Sequence, residues 1–319
     1  MMRRSMYKKN MVFKTIIHDV IPNITPEEWG KGRHNDAILW LVNDFEDWKW
    51  RYSQFQEFVW DNIAESALSK QEREALINKP SSTLAEAAKK LRLTDESKQD
   101  YWRGSELAEI VLYWIMRHYY GALPIVPKIF YKQNSQDYAK WADSVHIVID
   151  QEDLNFSIWL WEAKFYGSLD DGKWVKKVID SIKSGLTTEK LRKENSIITN
   201  LNELNSFVEN KELLSSIYNT LSWNESIDAV KPKLNIPILL LHECELTALQ
   251  TNFNSSYEVE MRLSYIKNAE KYFSKQIMDI QPEVYLFEEI KFHLILLAVP
   301  SKDGIVDNFI ETAKFHRSR

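Results

Sequence analysis

The sequence contains little cysteine and has no long apolar run. Cys244 is the only cysteine in 319 residues, so an internal disulfide is excluded and a reducing compartment is favoured. No window approaches about 18 consecutive apolar residues, and the basic stretch 1–14 lacks the apolar centre of a secretory signal. We therefore expect a cytoplasmic protein that makes no contact with a membrane.

The sequence also lacks an excess of positive charge. Its formal net charge is −5, whereas proteins that bind nucleic acid with their whole surface are strongly basic. Nucleic acid would have to be reached through a local patch or with the help of a partner. Only 8 glycines and 9 prolines accompany a hydrophobic content of 44%, which indicates a globular chain with a substantial core.

The first hundred residues are predicted to be mostly helical. Alternating β-branched residues predict a strand over 12–21, while apolar residues at helical spacing predict a helix over 36–68. The polar stretch 94–102 places a boundary near residue 100. We expect residues 1–100 to form an α-rich extension that could bind a partner, and residues 101–319 to form a second domain.

From Gly104 onward, helical and strand patterns alternate. Strands are predicted over 128–133, 144–150, 157–166, 236–243 and 291–300, and helices over 104–120, 173–186, 260–280 and 301–316. This order predicts an α/β fold with a mixed sheet flanked by helices.

The strand 157–166, "SIWLWEAKFY", carries two charges in an otherwise apolar segment. Residues two apart on a strand point to the same face, so Glu162 and Lys164 project together. Asp143 begins the preceding strand, which is expected to lie beside this one. Glu106 and Glu109 share one face of the helix over 104–120 and could join the group.

Carboxylates and an ammonium at one sheet edge suit metal-assisted phosphodiester chemistry. Mg²⁺ is usually held by one or two carboxylates together with water and phosphate, which predicts Asp143 and Glu162 as its ligands. Lys164 could orient a water or stabilise the charge of the transition state. The alternatives are structural: an ion pair for Glu162 and Lys164, a turn cap for Asp143, and favourable helix-dipole contacts for Glu106 and Glu109.

These residues resemble a known nuclease core. Asp143, followed after a hairpin by Glu162-Ala163-Lys164 and preceded by an acidic helix, looks like the PD-(D/E)XK (restriction-endonuclease-like) core, with Ala142 in place of the proline. The segments "RGSELAEIVLYWIMRHYYGALPIVPKIFYKQN", "KWADSVHI" and "LWEAKFY" are similar to the HamA family, the nuclease-fold subunit of the Hachiman anti-phage defence system. The similarity covers roughly residues 100–300.

The resemblance implies a Mg²⁺-dependent DNA endonuclease, with Mn²⁺ as a substitute, that works with a HamB-like helicase. Two other functions remain open: a catalytically silent subunit that binds and regulates the helicase, and a restriction or repair nuclease outside defence.

A basic segment and one histidine lie outside this predicted site. A basic segment after the helix over 173–186 is either a solvated surface or a patch that follows DNA phosphates; its members are Lys183, Lys190, Arg192 and Lys193. His146 falls on the strand face opposite Asp143, and it is expected to be a core histidine.

Overall fold

The computed structural model describes residues 13–20, 36–91, 93, 104–123, 144–150, 153–192, 204–222 and 224–319. The strands that it describes are β1 (Lys14–Val20), β2 (Asp36–Val42), β3 (Phe45–Glu46), β4 (Lys49–Trp50), β5 (Ser144–Asp150), β6 (Asn155–Tyr166), β7 (Leu234–Glu243) and β8 (Lys291–Val299). The helices are α1 (Tyr52–Ala67), α2 (Lys70–Ala75), α3 (Pro80–Lys90), α4 (Ser105–His118), α5 (Lys173–Gly185), α6 (Leu204–Phe207), α7 (Lys211–Leu221), α8 (Glu245–Leu249), α9 (Ser255–Asp279) and α10 (Lys302–Arg317).

Six strands form one mixed sheet in the order β1, β2, β8, β7, β6, β5. The four central strands are parallel, whereas β1 pairs with β2 and β5 pairs with β6 in antiparallel fashion. The short strands β3 and β4 form a separate hairpin. The expectation of an α/β protein with a mixed sheet between helices is therefore confirmed.

Helices cover both faces of the sheet and bury it on each side. On the first side, which we call the α9 face, Ile158 and Leu160 of β6 lie in one core with residues of α5 and α9. On the other side, the α4 face, Trp161, Ala163 and Phe165 lie in a second core with residues of α1, α4 and α10. β7 and β8 are apolar almost throughout because helices cover them on both sides.

The strand predictions over 144–150, 157–166, 236–243 and 291–300 are confirmed by β5 to β8, and the strand over 12–21 is confirmed by β1. The helices over 104–120, 173–186 and 260–280 and the C-terminal helix are confirmed as well, although α9 begins earlier, at Ser255. The strand predicted over 128–133 lies outside the described residues.

The helix predicted over 36–68 was wrong in its first part. Residues 36–42 form β2, and the helix begins only at Tyr52. All seven residues of β2 are buried because it pairs with β8 in the sheet. A strand buried on both faces shows no alternation, so its period cannot be told from that of a buried helix.

The sheet joins residues from both sides of position 100. β2 pairs in parallel with β8 from Asp36↔Phe292 to Val42↔Ala298. The core on the α4 face likewise combines Phe55 and Ile63 of α1 with residues of α4 and α10. Among the described residues, the first hundred therefore contribute two strands to the main sheet in addition to helices α1 to α3.

Candidate functional site

Glu162 and Lys164 lie near the carboxyl end of β6 and project onto the α9 face. They alternate with Ala163 and Phe165, which project into the core on the α4 face. The Lys164 Nζ atom lies 2.5 Å from the Glu162 Oε1 atom. The Glu162 side chain is only 3% exposed, whereas that of Lys164 is 27% exposed. The carboxylate is thus buried, with a partly solvated ammonium directly above it.

Ser181 is a third member of this cluster. Its hydroxyl donates a 3.0 Å hydrogen bond to the same Oε1 atom of Glu162. Ser181 stands in the stripe of α5 that faces the sheet, three residues after the buried Val178 and seven after the buried Trp174. Ser181 was not among the residues predicted from the sequence. A hydroxyl in the apolar stripe of a helix is a weak signal, because it points to Glu162 only once the strand beneath the helix is known.

The cluster lies close to the edge at which the parallel strands end. Tyr166 pairs with His242, and Lys164 pairs with Leu240 two residues further in. His242 is buried; its Nε2 atom is 2.6 Å from the Tyr265 hydroxyl, and its Nδ1 atom is 3.0 Å from the Glu243 carbonyl oxygen. Burial lowers the pKa of His242 to about 4, so the ring is neutral at pH 7.

The other predicted acidic residues are placed differently. Glu106 and Glu109 belong to α4, which packs on the α4 face, whereas Glu162 projects onto the α9 face. Both are buried, and a carboxylate oxygen of Glu106 accepts the backbone N–H of Leu93 at 3.1 Å. Asp143 lies outside the described residues. The structure therefore brings together Glu162 and Lys164, and the roles of the other three acids stay predictions.

His146 is a core histidine, as the sequence predicted. It is fully buried on the α4 face, stacked on Trp161 with ring centroids 5.8 Å apart, and its Nδ1 atom is 3.1 Å from the Leu123 carbonyl oxygen. Burial lowers its pKa to about 4.

A match to a protein-family model shows which known proteins this chain is related to. The model of the HamA family matches residues 15–313, a span that runs from β1 into α10 and includes Asp143, Glu162 and Lys164. The chain belongs to the HamA family. The resemblance to the HamA family that the sequence suggested is confirmed, and the match extends into the first hundred residues. HamA membership makes the chain a protein related to Hachiman defence. No curated protein matches it.

Three of the four basic residues predicted to contact DNA in this HamA chain are described. Lys183 is 2.6 Å from a carboxylate oxygen of Glu283, and Lys190 donates to the Ser184 hydroxyl. Arg192 lies in the helical residues 188–192 and is half-buried, while Lys193 lies outside the described residues. Lys183 is thus already neutralised by an acid, and the assignment of this group to DNA stays a prediction.

The donor chemistry of Glu162 fits the metal that the HamA resemblance implies. A carboxylate oxygen is the ligand that Mg²⁺ prefers, and one or two carboxylates are usual, with water and phosphate in the remaining positions. Within the described ranges, no three His, Cys, Asp or Glu residues come together as a group that could hold a metal ion. Glu162 is the ligand that the described residues offer, and Asp143 is the predicted second one.

Within the described part of this HamA chain, no helix is both long and apolar enough to cross a bilayer.

Proposed function

We propose that this HamA-family chain is the Mg²⁺-dependent DNA endonuclease subunit of an anti-phage complex, held or delivered by a HamB-like helicase. Mn²⁺ is expected to substitute for Mg²⁺. The observation that supports the proposal most is the placement of Glu162: a carboxylate only 3% exposed, 2.5 Å from the Lys164 ammonium, in an otherwise apolar strand segment. DNA is the proposed substrate because the family resemblance implies it.

The free-energy cost of burying the Glu162 carboxylate favours a functional reason for the charged pair. Removing a carboxylate from water costs several kcal/mol, and the attraction of a partner rarely returns more than that cost. Apolar residues at positions 162 and 164 would pack at least as well in a strand that β7 and α5 already cover. A charged pair in such a place is therefore a candidate for chemistry.

Each residue of the site has its own proposed role. Glu162 and Asp143 would hold the metal, which when bound supplies a Lewis acid for the phosphodiester. Lys164 is partly exposed, so its ammonium can approach a phosphate oxygen and stabilise the charge that develops there. Glu106 and Glu109 stay predicted members of the site, although α4 packs on the face of the sheet opposite to that of Glu162. The rigid apolar flanks of β6 keep Glu162 and Lys164 in fixed positions.

The proposed helicase partner would compensate for the weak attraction of this acidic chain for DNA. A chain with a net charge of −5 has little general attraction for DNA at physiological salt. Lys183, Lys190, Arg192 and Lys193 are proposed to contact phosphates locally, and the partner would supply the remaining affinity. Release of Lys183 from Glu283 would be part of such a contact.

Nicking of supercoiled plasmid by a lysine variant tests the proposal. We expect Lys164→Ala to lower Mg²⁺-dependent nicking by a factor of about 100 or more, because one electrostatic group of an active site typically contributes that much. Lys176→Ala is the matched control, since Lys176 is an exposed lysine of α5 paired with Asp180. Its nicking rate should equal that of the wild type. Undiminished cleavage by a folded Lys164→Ala protein would refute the assignment.

A catalytically silent subunit that regulates the helicase is the second candidate. The specific observation in its favour is that both Lys164 and Ser181 engage the same oxygen of Glu162, as a structural ion pair would require. Size-exclusion chromatography with the helicase, followed by a nuclease assay of each fraction, separates the two. Complex formation without cleavage in any fraction supports the silent subunit.

A further inference from the structure

Ser181 of α5 reaches Glu162 with its hydroxyl. The hydroxyl donates to Oε1 at 3.0 Å, and the same oxygen is 2.5 Å from the Lys164 ammonium. Each of these donors restricts rotation of the carboxylate. Loss of one of them would leave the carboxylate freer to turn about its terminal torsion, which is broad and weakly constrained.

Ser181 is a half-buried residue in the stripe of α5 that faces the sheet. The residues that share its stripe are apolar and buried: Trp174, Val178 and Ile182. Serine is a poorer helix former than alanine, and an apolar residue would bury more surface against the sheet. The other nearby serine of α5, Ser184, faces solvent and accepts a hydrogen bond from Lys190.

We infer that Ser181 is a positioning residue for Glu162, which it holds in the orientation that binds the divalent metal ion. The inference rests on the proposed function, in which Glu162 is a metal ligand. Ser181 itself touches neither metal nor substrate. It acts as the hydrogen-bonded supports of metal-binding carboxylates do, and loss of such a support typically lowers metal affinity or activity by about 10- to 100-fold.

Direct binding of Mn²⁺ to the full-length chain is the test, measured by the electron paramagnetic resonance signal of the free ion. Ser181→Ala is expected to raise the dissociation constant of Mn²⁺ by about tenfold or more. Ser181→Thr keeps the hydroxyl and should restore binding to within twofold of the wild type. Ser184→Ala removes a hydroxyl from the next turn of the same helix and should leave Mn²⁺ binding unchanged.

A second readout separates positioning from packing. In plasmid nicking, Ser181→Ala should raise the Mg²⁺ concentration for half-maximal rate more than it lowers the rate at saturating Mg²⁺. If Ser181→Ala changes the melting temperature but binds Mn²⁺ within twofold of the wild type, the inference is wrong while the proposed function stands. If the wild-type chain binds no Mn²⁺, both fail together.

Discussion

At the scale of single residues, the unusual feature of this α/β protein is the presence of a carboxylate and of imidazole rings in its core. Glu162 is the buried acid of β6, and it is contacted by Lys164 of the same strand and by Ser181 of α5. His146 and His242 are buried on opposite faces of the sheet, each with its Nδ1 atom near a backbone carbonyl oxygen.

The two buried histidines predict a loss of stability in mild acid. Burial lowers the pKa of each to about 4, from 6.5. Between these values the unfolded chain takes up protons that the folded chain does not, so protonation favours unfolding. The stabilisation is complete above pH 6.5 and is lost as the pH falls toward 4. For each histidine, lowering the pH from 7.5 to 5.0 should reduce the unfolding free energy by about 2 kcal/mol.

Urea unfolding at the two pH values measures this loss. His146→Phe keeps a ring in the stack on Trp161 and removes the titrating group. Its unfolding free energy should depend less on pH than that of the wild type, by about 2 kcal/mol. A variant whose pH dependence runs parallel to that of the wild type would contradict the assignment of a low pKa to His146.

At the scale of elements, a glycine at the start of α4 allows this helix to approach β6 closely. Gly104 precedes α4 with a φ of +85°, a backbone conformation that residues with a Cβ atom rarely adopt. An added Cβ would lie 2.8 Å from the Val306 Cγ2 atom and 2.9 Å from the Phe165 Cδ1 atom. Phe165 directly follows Lys164, so this close approach fixes the strand that carries the candidate site.

Replacement of this glycine is expected to destabilise the protein. Gly104→Ala should lower the unfolding free energy by about 2 kcal/mol or more, from backbone strain together with overpacking. Gly167→Ala is the matched control, because an added Cβ there meets nothing within 4 Å. Its unfolding midpoint in urea should stay close to that of the wild type. Equal midpoints for the two variants would show that α4 tolerates the added atom.

The elements also show what a sequence can and cannot reveal. β7 and β8 were predictable because their apolar runs are short and bounded by polar residues. β2 was not, since its buried run is followed closely by the helical pattern of α1. Glu162 and Lys164 stood out as charges in an apolar strand. Ser181 did not, because a serine on an amphipathic helix is ordinary until the strand beneath it is known.

At the scale of the whole molecule, one sheet unites the chain. β1 and β2 come from the first hundred residues, yet β2 pairs with β8, which lies near the C-terminal end. No local pattern predicts such a pairing, because it depends on contacts between residues far apart in the sequence. The same holds for the sides of the sheet: periodicity identified α4 and α5, but only the fold placed them on opposite faces.

We propose that this HamA-family chain cleaves DNA with a metal ion held by Glu162. The most direct measurement is the nicking rate of supercoiled plasmid by the wild type and by Glu162→Gln, with Mg²⁺ and with the ion removed by a chelator, alone and with the helicase. Glutamine keeps the size of the side chain and removes its charge. We predict nicking by the wild type that requires Mg²⁺ and falls by about 100-fold or more in Glu162→Gln. Equal nicking by the two proteins, or no nicking by the wild type under any of these conditions, would contradict the claim.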